Sequence, residues 1–193
     1  MSLSLIVGPM FAGKTNELQR LIQQQKTLNT NYIVVKPKID NRYEANMMVS
    51  HNMNKEACIT LTHMSEIYEY VDSQKITRIF IDEGQFFSDL KEVVIDLVEK
   101  YKNHVVVSGL DGDFNRNKFG QILDLIPFCD TITKLSALCL NCNDGTHAIF
   151  SHRIIKTDEQ IMIGEKDIYK SVCRKHYNEL QISEDTQALA HNE

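Results

Sequence analysis

This 193-residue sequence lacks several features that would indicate a membrane protein, a secreted protein, a repeat protein or a nucleic-acid-binding protein. No apolar run approaches the roughly 20 residues of a membrane-spanning helix. The first residues, MSLSLIVG, lack the basic start and the cleavage site of a signal peptide. Repeats and low-complexity blocks are absent, and so is an excess of positive charge, since the net charge is −5. We therefore expect a cytoplasmic protein whose main partner is neither a membrane nor a nucleic acid.

Cysteines are present, five in number. In the reducing compartment that the missing signal peptide indicates, cysteines more often bind metals or stay free than form disulfides. The length suits one α/β domain with a small addition.

Segments with the pattern of buried strands alternate with segments of helical spacing over the first two thirds of the chain. This alternation predicts an α/β fold, a parallel sheet flanked by helices, over residues 1–136, which the glycine-rich motif described below makes P-loop NTPase-like. Ser88 is the expected N-cap of one helix, and 38–56 reads as a long loop. A second unit, 137–180, is rich in Cys, His and turn residues, and a disordered tail is expected over 181–193. The expected strands are LSLIV, NYIVVKP, ACITL, TRIFIDE, HVVVSGL and TITKLSAL; the expected helices are KTNELQRLIQQQKTL, MSEIYEYVDSQ and SDLKEVVIDLVEKY.

The sequence VGPMFAGKTNELQ near the start fits the pattern G-x-x-x-x-G-K-[ST] through Gly8, Gly13, Lys14 and Thr15. The glycines allow a tight turn whose N–H groups point at phosphate oxygens, beside the positive end of the helix that follows. Lys14 suits the β- and γ-phosphates, and the Thr15 hydroxyl suits Mg²⁺. The alternative is a chance glycine-rich turn, but the preceding strand and following helix favour a phosphate site.

Two adjacent carboxylates, Asp82 and Glu83, end the strand-like run RIFIDE. A P-loop needs a carboxylate at a strand end to hold Mg²⁺, and Asp82 is the candidate. Side chains alternate along a strand, so Glu83 points elsewhere and is the candidate general base. The alternative is that Glu83 only caps the next helix.

Two knuckles, CLNC and CRKH, predict a tetrahedral Cys₃His zinc site in a zinc ribbon. Because this shell has no open position, the zinc is expected to be structural; a catalytic zinc is the weaker alternative. His147 and His152 lie in the same unit but have no knuckle partner, and Cys58 and Cys129 read as core thiols. The predicted ligands are Cys139, Cys142, Cys173 and His176.

The P-loop, IDEGQFF, LDGDF and the late Cys/His unit stand in the same order in one family. From about Leu3 to Tyr177 the chain resembles the type II thymidine kinases, a group of cellular cytosolic, bacterial and large-DNA-virus enzymes. The resemblance implies ATP-dependent phosphorylation of the thymidine 5′-hydroxyl. It also implies that deoxyuridine is a second substrate. It also implies Mg²⁺, a structural zinc, a homotetramer and feedback inhibition by thymidine triphosphate.

Residue roles carried over from this resemblance concern both halves of the reaction. Glu83 matches the catalytic base, and Asp82 matches the acid on the metal side. IDNRY resembles a segment in which Asp40 and Arg42 organise phosphates and metal; Arg42, with Lys14, is thus assigned to catalysis. The residues assigned to ATP in the matching loop are Gly8, Pro9, Met10, Phe11, Ala12, Gly13, Lys14 and Thr15.

The nucleoside side is also assigned by resemblance. RIIKTDEQIMIGEKDIY resembles a lasso-like loop that closes over thymidine and reads the base largely with backbone groups. Two departures from the family pattern stand out: Glu165 where many members have a small residue, and Asp113 where several have threonine. The residues assigned to the nucleoside are Gln85, Phe86, Phe114, Met162, Gly164 and Tyr169, while Phe87 is expected in the core.

Two rival functions remain at this point. DEGQ after a strand, with a P-loop, also suits a DExx-type nucleic-acid-dependent ATPase, although such motors usually need two such domains. A zinc ribbon that binds nucleic acid or protein would need clustered basic and aromatic residues. The sequence NDGTHAIFSHRIIKTDEQ is instead mixed in charge.

Overall fold

The structure, a computed structural model, describes residues 1–39, 47–49, 55–155 and 168–190. Its strands are β1 (Ser2–Val7), β2 (Tyr32–Pro37), β3 (Met47–Val49), β4 (Lys55–Ala57), β5 (Ile59–Leu61), β6 (Arg78–Ile81), β7 (His104–Gly109), β8 (Thr131–Lys134), β9 (Ala137–Leu138), β10 (His147–Ala148), β11 (Phe150–Arg153) and β12 (Tyr169–Val172). Its α-helices are α1 (Lys14–Thr27), α2 (Tyr68–Gln74), α3 (Leu90–Glu99) and α4 (Arg174–Ala190). Short 3₁₀ helices cover Met64–Ile67, Gly84–Phe86 and Ile122–Phe128.

A six-stranded parallel sheet in the order β5-β2-β6-β7-β1-β8 forms the centre of the molecule. Along its strands, side chains alternate between two apolar layers. In β1, Leu3 and Leu5 belong to the layer that contains α3, whereas Ile6 packs with Leu18 and Ile22 of α1 on the other face. Burial on both faces explains why these strands read as continuous apolar runs. The predicted α/β class with a parallel sheet between helices is confirmed.

A smaller unit follows the last strand of the sheet. It contains the antiparallel pairs β9–β10 and β11–β12 and the start of α4. Its own apolar cluster includes Ala148, Val172 and Tyr177, and Phe11 and Ala12 from the glycine-rich loop pack against that cluster. The unit therefore contacts the part of the sheet domain that was predicted to hold phosphate.

The described part of 38–56 differs from the predicted long loop, because β3 and β4 form an antiparallel hairpin there. Contacts with distant parts of the chain hold this pair of strands in place. The buried Glu56 carboxylate accepts hydrogen bonds from Lys26 Nζ at 2.7 Å and from Tyr32 Oη at 3.1 Å. These partners lie on α1 and β2, so no local pattern in the polar stretch announces the hairpin.

Two smaller expectations also differ from the structure. The N-cap of α3 is Asp89, not Ser88, and its carboxylate accepts hydrogen bonds from the N–H groups of Met64 and Ser65 rather than capping its own helix. Helix α4 continues to Ala190, where the composition predicted a disordered tail. Once a helix has formed, each further residue that is ordered adds one hydrogen bond, so extension costs less than starting a new helix. Within the described ranges, no helix has both the length and the apolar character needed to cross a membrane.

Candidate active site and metal centre

The glycine-rich loop turns between β1 and α1 at the carboxyl edge of the sheet. A side chain at Gly8 would place its Cβ 2.5 Å from the carbonyl oxygen of Leu135, so only glycine fits there. Gly13, at φ 81°, forms the N-cap of α1. The Lys14 ammonium reaches back and donates to the Pro9 carbonyl at 2.8 Å. The first-turn N–H groups of α1, which lack intrahelical acceptors, make this a site suited to anions.

Thr15 and Asp82 meet at the end of β6. The Thr15 hydroxyl donates to Asp82 Oδ2 at 3.1 Å, and the Asp82 side chain is only 5% exposed. Neighbouring oxygen ligands of an octahedral Mg²⁺ lie about 2.9 Å apart, given Mg–O bonds of about 2.0–2.1 Å. The two oxygens therefore have the chemistry and spacing of a magnesium pair, as the sequence predicted.

Glu83 occupies the N-cap position of the 3₁₀ helix Gly84–Phe86 but makes no side-chain cap bond. Its backbone lies in the left-handed region, at φ 51°, which is uncommon for residues other than glycine and is concentrated at functional sites. Its Oε2 accepts a hydrogen bond from Gln85 Nε2 at 2.6 Å. The capping alternative is thus not supported, and the carboxylate is held in one direction.

The four predicted zinc ligands converge between β9, β12 and the first turn of α4. Their ligand atoms all lie within 4.8 Å of one another. His176 Nδ1 is 3.5 Å, 3.3 Å and 3.4 Å from the sulfurs of Cys139, Cys142 and Cys173. In a tetrahedral site with Zn–S of about 2.3 Å and Zn–N of about 2.0–2.1 Å, ligand atoms are separated by about 3.5–3.8 Å. The cluster therefore fits a structural zinc.

Hydrogen bonds to Cys139 favour its thiolate, the form that binds metal. Burial raises the pKa of the Cys139 thiol, but the backbone N–H groups of Cys173, Cys142 and Asn141 outweigh it and lower that pKa. The Cys173 N–H lies 3.2 Å from Cys139 Sγ.

The other candidate ligands lie elsewhere. His147 pairs with Ser136 Oγ, and the buried His152 packs edge-on to Tyr177. Cys58 is buried in the core beside α1, whereas Cys129 is half-buried against the opposite core layer. The predicted choice among these residues therefore agrees with their positions.

A layer of stacked side chains joins the smaller unit to the loop that follows β7. We call this smaller unit, which contains β9 to β12, the start of α4 and the candidate zinc site, the zinc unit. The guanidinium of the buried Arg153 lies 3.5 Å from the centre of the Phe114 ring. Tyr177 Oη donates to the Phe114 carbonyl at 2.7 Å. Tyr169 is directly opposite Arg153 in the β11–β12 ladder and is buried. Phe114 and Tyr169, both assigned to the nucleoside, are thus both neighbours of Arg153, one through its guanidinium and the other through the strand pairing.

The glycine-rich loop and the zinc unit are also linked directly. The Met10 N–H donates to Ser151 Oγ at 3.0 Å. Phe11, at a positive φ of 64°, packs against the cluster around Cys139 and Tyr177. Backbone strain at Phe11 is therefore supported by contacts from the zinc unit.

The structure brings the predicted residues together in two groups. One contains Thr15, Asp82, Glu83 and Gln85; the other contains Phe114 and Tyr169. Phe86 contacts Phe119 edge-on at 5.5 Å, and Phe87 is fully buried in the core. Outside the described residues lie Asp40, Arg42, Met162, Gly164 and Glu165.

Sequence reasoning missed Ser151, Arg153 and Tyr177. None stands in a recognisable motif, and each acts through a partner far away in sequence. The available signal was weak: Tyr177 directly follows the predicted ligand His176, and Arg153 borders the lasso-like segment.

Comparisons with known proteins agree with this geometry. A family model described as thymidine kinase matches residues 1–177. Proteins named thymidine kinase from Oryza sativa subsp. japonica, Sheeppox virus (strain KS-1) and Monkeypox virus are 41%, 39% and 36% identical over 182, 173 and 178 residues. These alignments cover 92%, 90% and 91% of this chain and 66%, 94% and 96% of the respective relatives.

Proposed function

The chain belongs to the thymidine kinase family, and we propose that it transfers the γ-phosphoryl group of ATP to the 5′-hydroxyl of thymidine. The products are thymidine monophosphate and ADP. The observation that carries the proposal is the junction at the end of β6. There a buried Asp82 lies 3.1 Å from the P-loop hydroxyl of Thr15, and the next residue is a carboxylate held by Gln85.

The donor half of the reaction is assigned to the glycine-rich loop. Backbone N–H groups of the loop would surround the phosphates, apart from Pro9, which has none, and Met10, whose N–H donates to Ser151 Oγ. Lys14 would neutralise part of the phosphate charge. Thr15 and Asp82 would hold Mg²⁺, which when bound shields the charge that develops on the transferring oxygens. Asp40 and Arg42 stay assigned to phosphates and metal by resemblance alone.

The acceptor half is assigned to Glu83. Its carboxylate takes the proton of the 5′-hydroxyl while that oxygen forms a bond to the γ-phosphorus. The bond between the γ-phosphorus and the bridging oxygen breaks, and ADP leaves with that electron pair. Glu83 then returns the proton to solvent. Because the hydroxyl is a weak nucleophile, orientation of the base is the main task of the protein at this step.

Nucleoside recognition is assigned to the surface between the two units. Phe114 would pack on the base, Tyr169 would position the sugar, and Phe86 would wall the pocket. The stacking of Arg153 on one face of the Phe114 ring supports this assignment because it holds the ring in place. Met162 and Gly164 would supply backbone contacts from the lasso-like segment.

Further properties are proposed on the family resemblance. They are a structural zinc that holds both ends of the lasso-like segment, a homotetramer, a cytoplasmic location and inhibition by thymidine triphosphate. Deoxyuridine is the expected second substrate. The comparisons lend no support to the alternative of a DExx-type ATPase.

The test is a kinase assay with ATP and Mg²⁺ in the presence of thymidine, deoxyuridine, deoxycytidine or no nucleoside. We expect ADP formation that depends on thymidine and a nucleoside monophosphate product. Glu83→Gln, which keeps the size of the side chain but removes its basicity, is expected to lower kcat at least ~100-fold. ATP hydrolysis that needs no nucleoside and responds to DNA or RNA would instead favour the ATPase. A full rate in Glu83→Gln would refute the assigned base.

A further inference from the structure

The Gln85 side chain connects the candidate base to a second strand of the sheet. Its Nε2 donates to Glu83 Oε2 at 2.6 Å, and its Oε1 accepts from the Leu110 N–H at 3.0 Å. The residue is only 3% exposed. The carboxylate at the end of β6 is thereby tied, through one amide, to the backbone just after β7.

Two glycines leave the space that this amide needs. A Cβ at Gly109 would lie 2.2 Å from Gln85 Oε1, and a Cβ at Gly120 would lie 2.1 Å from the Gln85 carbonyl oxygen. Both distances are far below van der Waals contact. Gly120 also has φ +60°, which other residues adopt at a cost. Gly109 therefore lies directly against the Gln85 amide, and Gly120 lies against the Gln85 backbone, so both parts of the residue are closely packed.

The chemistry requires an amide at position 85. One end of the side chain must accept a backbone N–H and the other must donate to a carboxylate, and among side chains of this length only glutamine does both. A lysine would also donate, but its positive charge would reduce the basicity of Glu83. The neutral donor fixes one carboxylate oxygen without placing a positive charge beside the base.

We propose that Gln85 is a positioning residue that holds the Glu83 carboxylate in the direction from which it removes the proton of the acceptor hydroxyl. This inference rests on the proposed function of Glu83. It differs from the sequence-based assignment of Gln85 to nucleoside binding, and the two assignments predict different kinetics. A positioning residue affects kcat, whereas a residue that binds the nucleoside chiefly affects the KM for thymidine.

The experiment compares Gln85→Met with the parent enzyme in full steady-state kinetics. Methionine has a similar length and fills the space but cannot donate to Glu83. We expect kcat to fall about 10- to 100-fold, because misplacement of a reacting group by about 1 Å costs up to about 100-fold. The KM values for thymidine and ATP should stay within about twofold. Gln121→Met is the matched control, since Gln121 accepts only from the Lys91 N–H outside the two site groups, and its kcat should not change.

A second variant covers the case in which Gln85→Met fails to fold. Gln85→Glu still accepts the Leu110 N–H but places a second carboxylate beside Glu83. The two carboxylates then share a proton, so Glu83 is partly protonated and less able to take the proton of the acceptor hydroxyl. It should show the same fall in kcat. Gly109→Ala, which pushes on the amide from the other side, should lower kcat in the same direction.

Two results would overturn the inference. One is an unchanged kcat in both Gln85 variants; the other is a rise in the KM for thymidine without a fall in kcat. Failure of the proposed function itself is recognised separately, because the parent enzyme would then show no thymidine-dependent turnover.

Discussion

The hydroxyl of Tyr177 provides the most direct test of how the zinc unit supports the nucleoside side of the site. Tyr177 is 0% exposed and directly follows the zinc ligand His176. Its Oη donates to the Phe114 carbonyl at 2.7 Å. In Tyr177→Phe the ring stays, so its packing with Phe150 and the Arg116 guanidinium is retained. The substitution therefore removes the hydrogen bond to the Phe114 carbonyl while the packing of the ring stays.

The expected loss of stability follows from removing the hydrogen-bond donor to the Phe114 carbonyl. Loss of one partner of a buried hydrogen bond costs about 1–3 kcal/mol. For a chain of this length, each kcal/mol lowers Tm by about 2–4 °C. Because the orphaned carbonyl belongs to Phe114, the thymidine side should also weaken. A loss of about 1.4 kcal/mol in binding would raise the thymidine Kd tenfold.

The assay combines thermal unfolding, thymidine titration by calorimetry, ATP KM and zinc content. We expect a lower Tm and a thymidine Kd raised about three- to tenfold, with zinc content and the ATP KM unchanged. Tyr68→Phe is the matched control, since Tyr68 stacks on Tyr101 and neither tyrosine belongs to the two site groups. The control should affect stability only. An unchanged thymidine Kd in Tyr177→Phe would refute the link between the zinc unit and Phe114.

Two further predictions concern the Asp89 carboxylate and the predicted zinc site. In the folded protein, burial raises the pKa of Asp89, but hydrogen bonds from the Met64 and Ser65 N–H groups outweigh it and lower that pKa below its ordinary value of 3.8. The stabilisation is therefore complete well above pH 3.8 and is lost as pH falls through the folded pKa. Asp89→Ala should lower the free energy of unfolding by about 1–2 kcal/mol at pH 7. Denaturant curves should show this difference shrinking as the pH falls below 3.8; a constant difference would contradict the assignment. Metal analysis should find one zinc per chain. Cys173→Ser should lose the zinc together with thymidine binding and stability, whereas the control Cys129→Ser should keep it. Loss of zinc with an unchanged KM for thymidine would refute the proposal that the zinc holds the ends of the lasso-like segment.

The donor side could be predicted because its chemistry is local. Residues 8–15 contain the glycines, the lysine and the hydroxyl in one run, and Asp82 and Glu83 stand together at the end of an apolar strand. The structure adds the Thr15–Asp82 contact, which parallel strands and a common sheet edge make expected. By contrast, the β3–β4 hairpin depends on Glu56 meeting Lys26 and Tyr32. No spacing rule in a polar stretch encodes such a tertiary contact.

The acceptor side was predicted less completely for the same reason. Arg153 looks like a surface residue in the sequence, yet it is buried against the face of Phe114. Ser151 is unremarkable until its hydroxyl meets the Met10 N–H. Both depend on the zinc unit folding back onto the sheet domain, and the two zinc knuckles predicted the unit without predicting its contact surface.

The departure at Asp113 also acquires a physical reason from these contacts. Its Oδ1 accepts hydrogen bonds from the N–H groups of Asn115 and Asn117 at 2.9 Å and 2.8 Å. A carboxylate accepts two such bonds strongly, and Asp is well suited to stabilising this kind of turn. Asp113 therefore fixes the loop just after Phe114, while Tyr177 holds the Phe114 carbonyl. Because the Phe114 backbone is held both by the turn in the sheet domain and by the zinc unit, each support limits how far loss of the other can displace the ring. Loss of both supports should therefore cost more than the sum of the two single losses.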